Sequence, residues 1–224
     1  MNILVTGGSG FIGSNLCEAL VKTKHKVWII DDLSSGFLCN LDSIINDVIF
    51  YEEKIEYFDF NKVSNIDIVI HLAAQVSASM SIESFGESSS SNLLGTIKIL
   101  DFCRTNSLPL VYASSSAIYG NLAFGNDNLT KVNLLSPYAS DKYVMELYSA
   151  TANRLYEVSS VGLRFFNVYG PRQSATNSYA GVIPIFIDRV LKKKDLMING
   201  GFQTRDFIYV NDVVLAILQS IKLV

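Results

Sequence analysis

The chain has 224 residues, 49% of them hydrophobic and 17% charged, against about 25% charged in an average globular protein, which excludes an intrinsically disordered chain. Its 18 basic and 21 acidic side chains leave a formal charge of −3, with an isoelectric point near 5.4, so no nucleic-acid partner is expected. Mean hydropathy is +0.29, yet no apolar run approaches the roughly 18 residues of a membrane span, and no membrane partner is expected either.

The N-terminus carries no basic region and turns at once to glycine, which argues against a signal peptide. Ile3–Thr6 reads as a short strand, and Phe11–Val21 as a helix with Ile12, Leu16, Ala19 and Leu20 at helical spacing. Lys26–Ile30, Val48–Tyr51 and Ile66–Leu72 follow as strands. Ser84–Cys103 reads as a long helix with Leu93, Leu94, Ile97 and Leu100 on its apolar face, weakened by the serine run Ser88–Ser91. Leu108–Ser114 is the next strand, Tyr138–Leu155 a second long helix, and Glu157–Leu163 a further strand. Polar, glycine-bearing breaks fall at Asp31–Leu41, Gly120–Pro137 and Gly170–Gly181. Val210–Val224 reads as a final helix that stops without a cap. Apolar strands separated by helices predict an α/β fold with a doubly wound parallel sheet covered on both faces. Residues 1–170 would form that core, and 171–224 the beginning of a smaller substrate-binding part interleaved with it.

Cys17, Cys39 and Cys103 are widely spaced and predict reduced thiols in a cytoplasmic protein. His25 and His71 lack a second ligand nearby, so no metal site is expected.

The first strand and first helix are joined by Gly7-Gly8-Ser9-Gly10-Phe11-Ile12-Gly13, a GxxGxxG turn. Gly7 permits a tight turn with positive φ, Gly10 admits a pyrophosphate to the backbone, and Gly13 lets helix and strand pack closely. The N–H groups and dipole of the helix then face the phosphates. Asp31 ends the second strand, where an acid accepts ribose hydroxyls and repels a 2′-phosphate, so NAD is favoured over NADP.

Tyr138 and Lys142 form YxxxK, which places phenol and ammonium on one helix face. Lowering a phenol from pKa about 10 to act as a base near neutrality requires about 4 kcal/mol. One ammonium about 5 Å away supplies on the order of 3 kcal/mol at an effective dielectric of about 20, so a second cation is needed, and an oxidised nicotinamide is a natural one. Ser114, Ser115 and Ser116 follow the strand end, where open α/β sheets bind their ligands.

These motifs occur in order with Asp31-Asp32-Leu33-Ser34-Ser35-Gly36, His71-Leu72-Ala73-Ala74, Asn92-Leu93-Leu94-Gly95-Thr96, Arg164–Arg172 and Arg205–Val210. Together they resemble the extended short-chain dehydrogenase/reductases, specifically the NAD-dependent nucleotide-sugar epimerases and dehydratases, with a Rossmann-like core. The resemblance implies that Tyr138 is the catalytic base, that Lys142 holds the nicotinamide ribose and that Ser115 is the catalytic serine. It implies cofactor contacts at Gly7, Gly10, Phe11, Ile12, Gly13, Asp31, Leu72, Ala73 and Phe165. It places the nucleotide-sugar substrate against Ser77, Ser115, Asn167, Val182 and Arg205, with Ile183 and Pro184 bordering the base.

Dehydratases of this family carry an acid just after the serine, whereas Ser116 and Ala117 stand here. The implied activity is therefore 4-epimerisation of a UDP-hexose or its N-acetyl form, in a homodimer built through the two long helices. Lys54 replaces a usual aspartate, Phe85 a usual proline and Met80 a frequent arginine. The family's C-terminal part is expected to be absent from this chain.

Overall fold

The computed structural model describes residues 1–121, 132–177, 180–198 and 200–224. Residues 122–131 of the break expected over Gly120–Pro137, and 178–179 of that over Gly170–Gly181, lie outside the described residues. The strands are β1 (Asn2–Thr6), β2 (Lys26–Asp31), β3 (Val48–Glu52), β4 (Ile68–His71), β5 (Leu110–Ser115), β6 (Ser160–Phe165), β7 (Asn167–Tyr169) and β8 (Phe207–Tyr209). The helices are α1 (Phe11–Lys22), α2 (Ala78–Glu83), α3 (Phe85–Asn106), α4 (Pro137–Tyr156), α5 (Val182–Leu191) and α6 (Val210–Ser220).

The first six strands form one parallel sheet in the order β3-β2-β1-β4-β5-β6, and β7 pairs in parallel with β8. Chain order reverses between β1 and β4, which opens a crevice beyond the carboxyl ends of those strands. The doubly wound parallel architecture read from the sequence is the one the chain adopts.

Continuous apolar strands arise because alternate residues feed two cores. Leu4, Ile30 and Val69 pack with Ile99, Leu100 and Met145 from α3 and α4 on one face. Ile3, Val5, Ile29 and Ile70 pack with Leu16 and Leu20 of α1 on the other. Val213, Val214 and Ile217 of α6 join that second core, so the chain beyond residue 170 returns to the main sheet. No helix among the described residues is long and apolar enough to cross a membrane.

Element ends move where single residues adopt left-handed backbone. Ser107 (φ 53°) caps α3, which ends at Asn106, three residues beyond the expected Cys103, and Glu157 (φ 58°) caps α4, so β6 starts at Ser160 instead of Glu157. The expected apolar face of α3 is corrected. Leu94 and Ile97 are 49% and 43% exposed, while Ser88, Asn92, Gly95, Thr96, Ile99, Leu100 and Cys103 are buried. Small and polar residues win that face because α3 lies close against α4 and carries a hydrogen-bond network inward. The Ser88 hydroxyl, inside the serine run, donates to Gln75 Oε1 at 3.0 Å.

His71 anchors the network between sheet and helix. The Thr6 hydroxyl accepts from the Ala73 N–H at 3.2 Å and lies 2.7 Å from His71 Nδ1. Thr96 donates its hydroxyl proton to the Asn92 carbonyl at 2.8 Å, so it can only accept from His71 Nε2, 3.4 Å away. The imidazole is therefore neutral with its proton on Nε2. Burial, with a smaller push from the Lys142 ammonium, takes its pKa down to about 3. An unfolded chain takes up this proton near pH 6.5 and the folded chain does not, so stability falls as pH drops from about 6.5 toward 3. Equilibrium unfolding followed between about pH 4 and 7 is expected to show a shallower dependence in His71→Gln than in the parent chain, the difference approaching one proton.

Candidate active site

The β1–α1 turn is fixed by contact with the end of β4. Gly7 has φ 73°, and a Cβ there would stand 2.7 Å from the Ala73 nitrogen, so both conformation and space exclude other residues. A Cβ on Gly13 would overlap the Gly7 carbonyl oxygen. Gly13 thus packs the helix against the turn itself, where the sequence suggested the strand. Gly10 is the N-cap of α1, which has no side-chain cap and no acid in its first turn. The N–H groups around Phe11, Ile12 and Gly13 are left for an anion.

Asp31 closes β2 beside this turn and is 8% exposed. Its two oxygens accept the N–H groups of Ser9 and Leu33, each at 2.9 Å. Burial raises its pKa, and these two backbone bonds offset only part of that rise. The carboxylate therefore braces the glycine turn, a role spacing alone did not reveal. Leu72 and Ala73 continue from β4 past the turn, held by the Thr6 carbonyl at 3.1 Å and the Thr6 hydroxyl.

The expected catalytic side chains converge at the end of β5. Ser136 caps α4 by accepting the Ala139 N–H at 3.2 Å, and Pro137 opens the helix. The Tyr138 N–H donates to Ser81 of α2 at 3.1 Å, which fixes the start of α4. Ser115, at the last position of β5, stands beside the Tyr138 phenol and accepts the Ala117 N–H at 3.1 Å. One turn along α4, Lys142 is 2% exposed, donates to the Ala113 carbonyl at 2.8 Å and lies 5.9 Å from the Tyr138 ring centre.

The chain by itself does not acidify the phenol, in keeping with a site that needs a second cation. Burial pushes Tyr138 above its ordinary value, and the Ser115 hydroxyl offsets only part of that. Burial also takes Lys142 down to about 8, against the pull of Asp141. Burial drives both groups toward their uncharged forms, so a phenolate needs a further positive charge.

Three of the expected substrate residues, Asn167, Val182 and Arg205, line one cavity of about 280 Å³. Gln173, Tyr169 and Phe207 share it. Gln173 was missed by the sequence reading, since nothing in its spacing marks it. Its Nε2 donates to the Val168 carbonyl at 3.0 Å, and its buried Oε1 has no hydrogen-bond partner among the described residues. Ser77 and Ser115 do not line this cavity, and Ser77 is engaged as the N-cap of α2, accepting the Met80 N–H at 3.1 Å. Phe165 sits beside Ser115 in the β5–β6 register and packs, half-buried, against the α1/α6 core.

The model of the NAD dependent epimerase/dehydratase family matches residues 3–223, and the chain belongs to that family. The UDP-glucose 4-epimerase of Mycolicibacterium smegmatis is 34% identical over 98% of this chain and 73% of its own. The UDP-N-acetyl-alpha-D-glucosaminuronate decarboxylase of Bacillus cytotoxicus is 33% identical over 97% of this chain and 70% of its own. Among solved structures, the UDP-N-acetylglucosamine 4-epimerase of Methanobrevibacter ruminantium, in complex with UDP-N-acetylmuramic acid, superposes with a TM-score of 0.92 at 36% identity. That match covers 99% of this chain and 73% of the other. The UDP-glucose 4-epimerase of Thermus thermophilus, in complex with NAD, gives 0.86 at 34% identity, covering 98% and 74%.

NAD is the cofactor of the family, and the residues of this chain fit it. The backbone is bare of side chains at Gly7 and Gly13, the α1 N-terminus is uncapped, and the Asp31 carboxylate stands beside both. Gly13→Ala is expected to cost about 1–3 kcal/mol of stability through overpacking and to weaken NAD by about tenfold or more. Thermal unfolding and calorimetric titration with NAD check the two effects.

Proposed function

We propose that this chain catalyses NAD-dependent 4-epimerisation of a nucleotide sugar, a UDP-hexose or its N-acetyl form, through a transient 4-keto sugar. The observation that carries the reading is that Ser115 at the end of β5, the Tyr138 phenol and the buried Lys142 ammonium one helical turn further on meet at one place. In this reading Gly7, Gly10, Phe11, Ile12 and Gly13 surround the cofactor diphosphate, Asp31 takes the adenosine ribose, and Leu72, Ala73 and Phe165 line the rest. NAD, when bound, supplies the hydride acceptor and donor for the sugar C4, and its positive charge is the second cation the phenol requires.

Tyr138 removes the proton of the sugar 4-hydroxyl and returns it after the keto sugar has turned over. Ser115 holds the reacting oxygen, and Lys142 orients the nicotinamide ribose while its charge favours the phenolate. Asn167 and Arg205 face the diphosphate, Val182 with Ile183 and Pro184 borders the base, and Ser77 reaches the sugar with its remaining hydroxyl proton. Elimination or decarboxylation is disfavoured because the turn Ser116–Tyr119 carries no carboxylate to move a proton.

Incubation with UDP-glucose and with UDP-N-acetylglucosamine, followed by NMR of the C4 configuration, decides the matter. Conversion at C4 without a released keto sugar or carbon dioxide supports epimerisation. Tight NAD binding with no conversion identifies a cofactor-binding module that does not turn over. Tyr138→Phe is expected to lower turnover by about 10²–10⁴-fold while NAD affinity stays within a few-fold.

The same reading includes a homodimer. Leu94 and Ile97 on α3, and Leu147 and Tyr148 on α4, are 43–50% exposed, an apolar surface that a second copy would cover. Light scattering on the eluting protein is expected to give twice the chain mass, and a monomer at micromolar concentration would discard this part.

A further inference from the structure

Three successive residues of β5 each hold α4. The Ala113 carbonyl accepts Lys142 Nζ, Ser114 donates to Glu146 Oε1 at 2.5 Å, and Ser115 stands beside the Tyr138 phenol. Tyr138, Lys142 and Glu146 are spaced four apart, so they form one stripe of the helix. Two of these contacts belong to the reading above. The third is a residue the sequence did not single out.

Glu146 is also gripped from the neighbouring strand. Arg164 of β6 donates Nε to Oε1 at 2.8 Å and Nη2 to Oε2 at 2.6 Å, a two-pronged pair whose side chains are 16% and 19% exposed. Arg164 stands opposite Ser114 in the β5–β6 register. Its guanidinium lies 5.0 Å from the centre of the Tyr119 ring. Tyr119 ends the short turn that Ser115 caps, and Phe166 stacks on its ring with centroids 6.1 Å apart. Glu146 thus closes a ring of contacts from β5 through α4 and β6 to the turn after Ser115. The ring borders a second cavity of about 310 Å³, lined by Tyr112, Tyr119, Glu146, Gly162 and Arg164, and away from the substrate cavity.

We propose that Glu146, clamped by Arg164 and Ser114, is a positioning residue that fixes the register of α4 on β5 and thereby holds the Tyr138 phenol against Ser115. A slip of one residue along a helix is about 1.5 Å, enough to part the phenol from the serine hydroxyl. Lys142 is a weak guard against such a slip, because its four-carbon stem is flexible and its head meets one carbonyl. The fork between Glu146 and Arg164 is planar and directional, and it ties both elements to a third. The proposal rests on the reading of Ser115 and Tyr138 as the acid–base pair.

The test is a double-mutant cycle between Glu146→Gln and Ser115→Ala. Glu146→Gln leaves an acceptor for Ser114 and breaks the fork. It is expected to lower kcat about tenfold or more with KM and NAD affinity within about threefold, and to move the acid limb of the kcat–pH profile upward, as Ser115→Ala does. In the Ser115→Ala background it should cost less than about twofold further. Full additivity overturns the proposal, as does a lowered unfolding temperature with an unmoved limb.

A second measurement does not depend on turnover. In tyrosine labelled at ¹³Cζ, the Tyr138 signal is assigned with Tyr138→Phe and titrated with and without NAD. Glu146→Gln should raise the titration in the parent chain and leave it unchanged with Ser115→Ala. If the parent converts no nucleotide sugar, the functional reading fails, and this titration still decides the positioning role. Should Glu146→Gln not fold, Arg164→Lys, which keeps charge but loses the fork, gives the same readouts. A phenol unmoved in a folded variant overturns the proposal.

Discussion

A single buried ammonium constrains this molecule more than any other group. Lys142 lies 2% exposed between sheet and helices, where an unpaired charge is costly, and its own pKa falls to about 8 in consequence. The surrounding chemistry is arranged around that charge. The Ala113 carbonyl solvates it, the adjacent Asp141 carboxylate offsets it, and His71 stays uncharged beside it. Asp141 is held in turn by Asn92 at 3.1 Å, and Asn92 by the Gln75 backbone at 2.8 and 3.2 Å. The polar lining of the α3–α4 contact therefore follows from placing one cation beneath a phenol.

That arrangement explains which parts of the chain were legible as sequence. The parallel sheet was readable because β1, β2 and β4 are apolar at nearly every buried position, and the glycine turn because its residue type answers a backbone requirement. Tyr138 and Lys142 were readable because a spacing of four marks one helix face. The α3 face was misread because its inward side is polar: Ser88, Asn92 and Thr96 look like surface residues until the groups they bond are known. The pairing of Glu146 with Arg164 was invisible for a related reason, since two opposite charges apart in sequence read as solvated until strand register brings them together. The short β7–β8 pair and α5 lie in a stretch where three-residue strands and a proline near a helix start leave little periodicity to detect.

Desolvation widens the shortfall that the spacing of Tyr138 and Lys142 already implied. An ammonium near a phenol favours the phenolate only by what remains after both have left water, and burial alone moves each group toward its uncharged form. In the proposed reading, scaffold and cofactor are complementary: one sets Ser115 beside Tyr138, and the other would bring the missing charge. In the free chain burial favours the protonated phenol.

The glycine turn has a thermodynamic corollary. The end of β4 presses on Gly7, Asp31 from β2 grips Ser9, and Phe37 and Asn40 of the loop after β2 bond the Ser9 carbonyl at 3.2 and 2.8 Å. Segments distant in sequence meet at one bend, and none of them is assembled there in the unfolded chain. A dinucleotide seated on that bend binds only the folded form, so mass action couples its concentration to the folding equilibrium, by about 2.7 kcal/mol at one hundred times the dissociation constant. The resilience of this protein is then a property of the cofactor pool around it as much as of its own sequence.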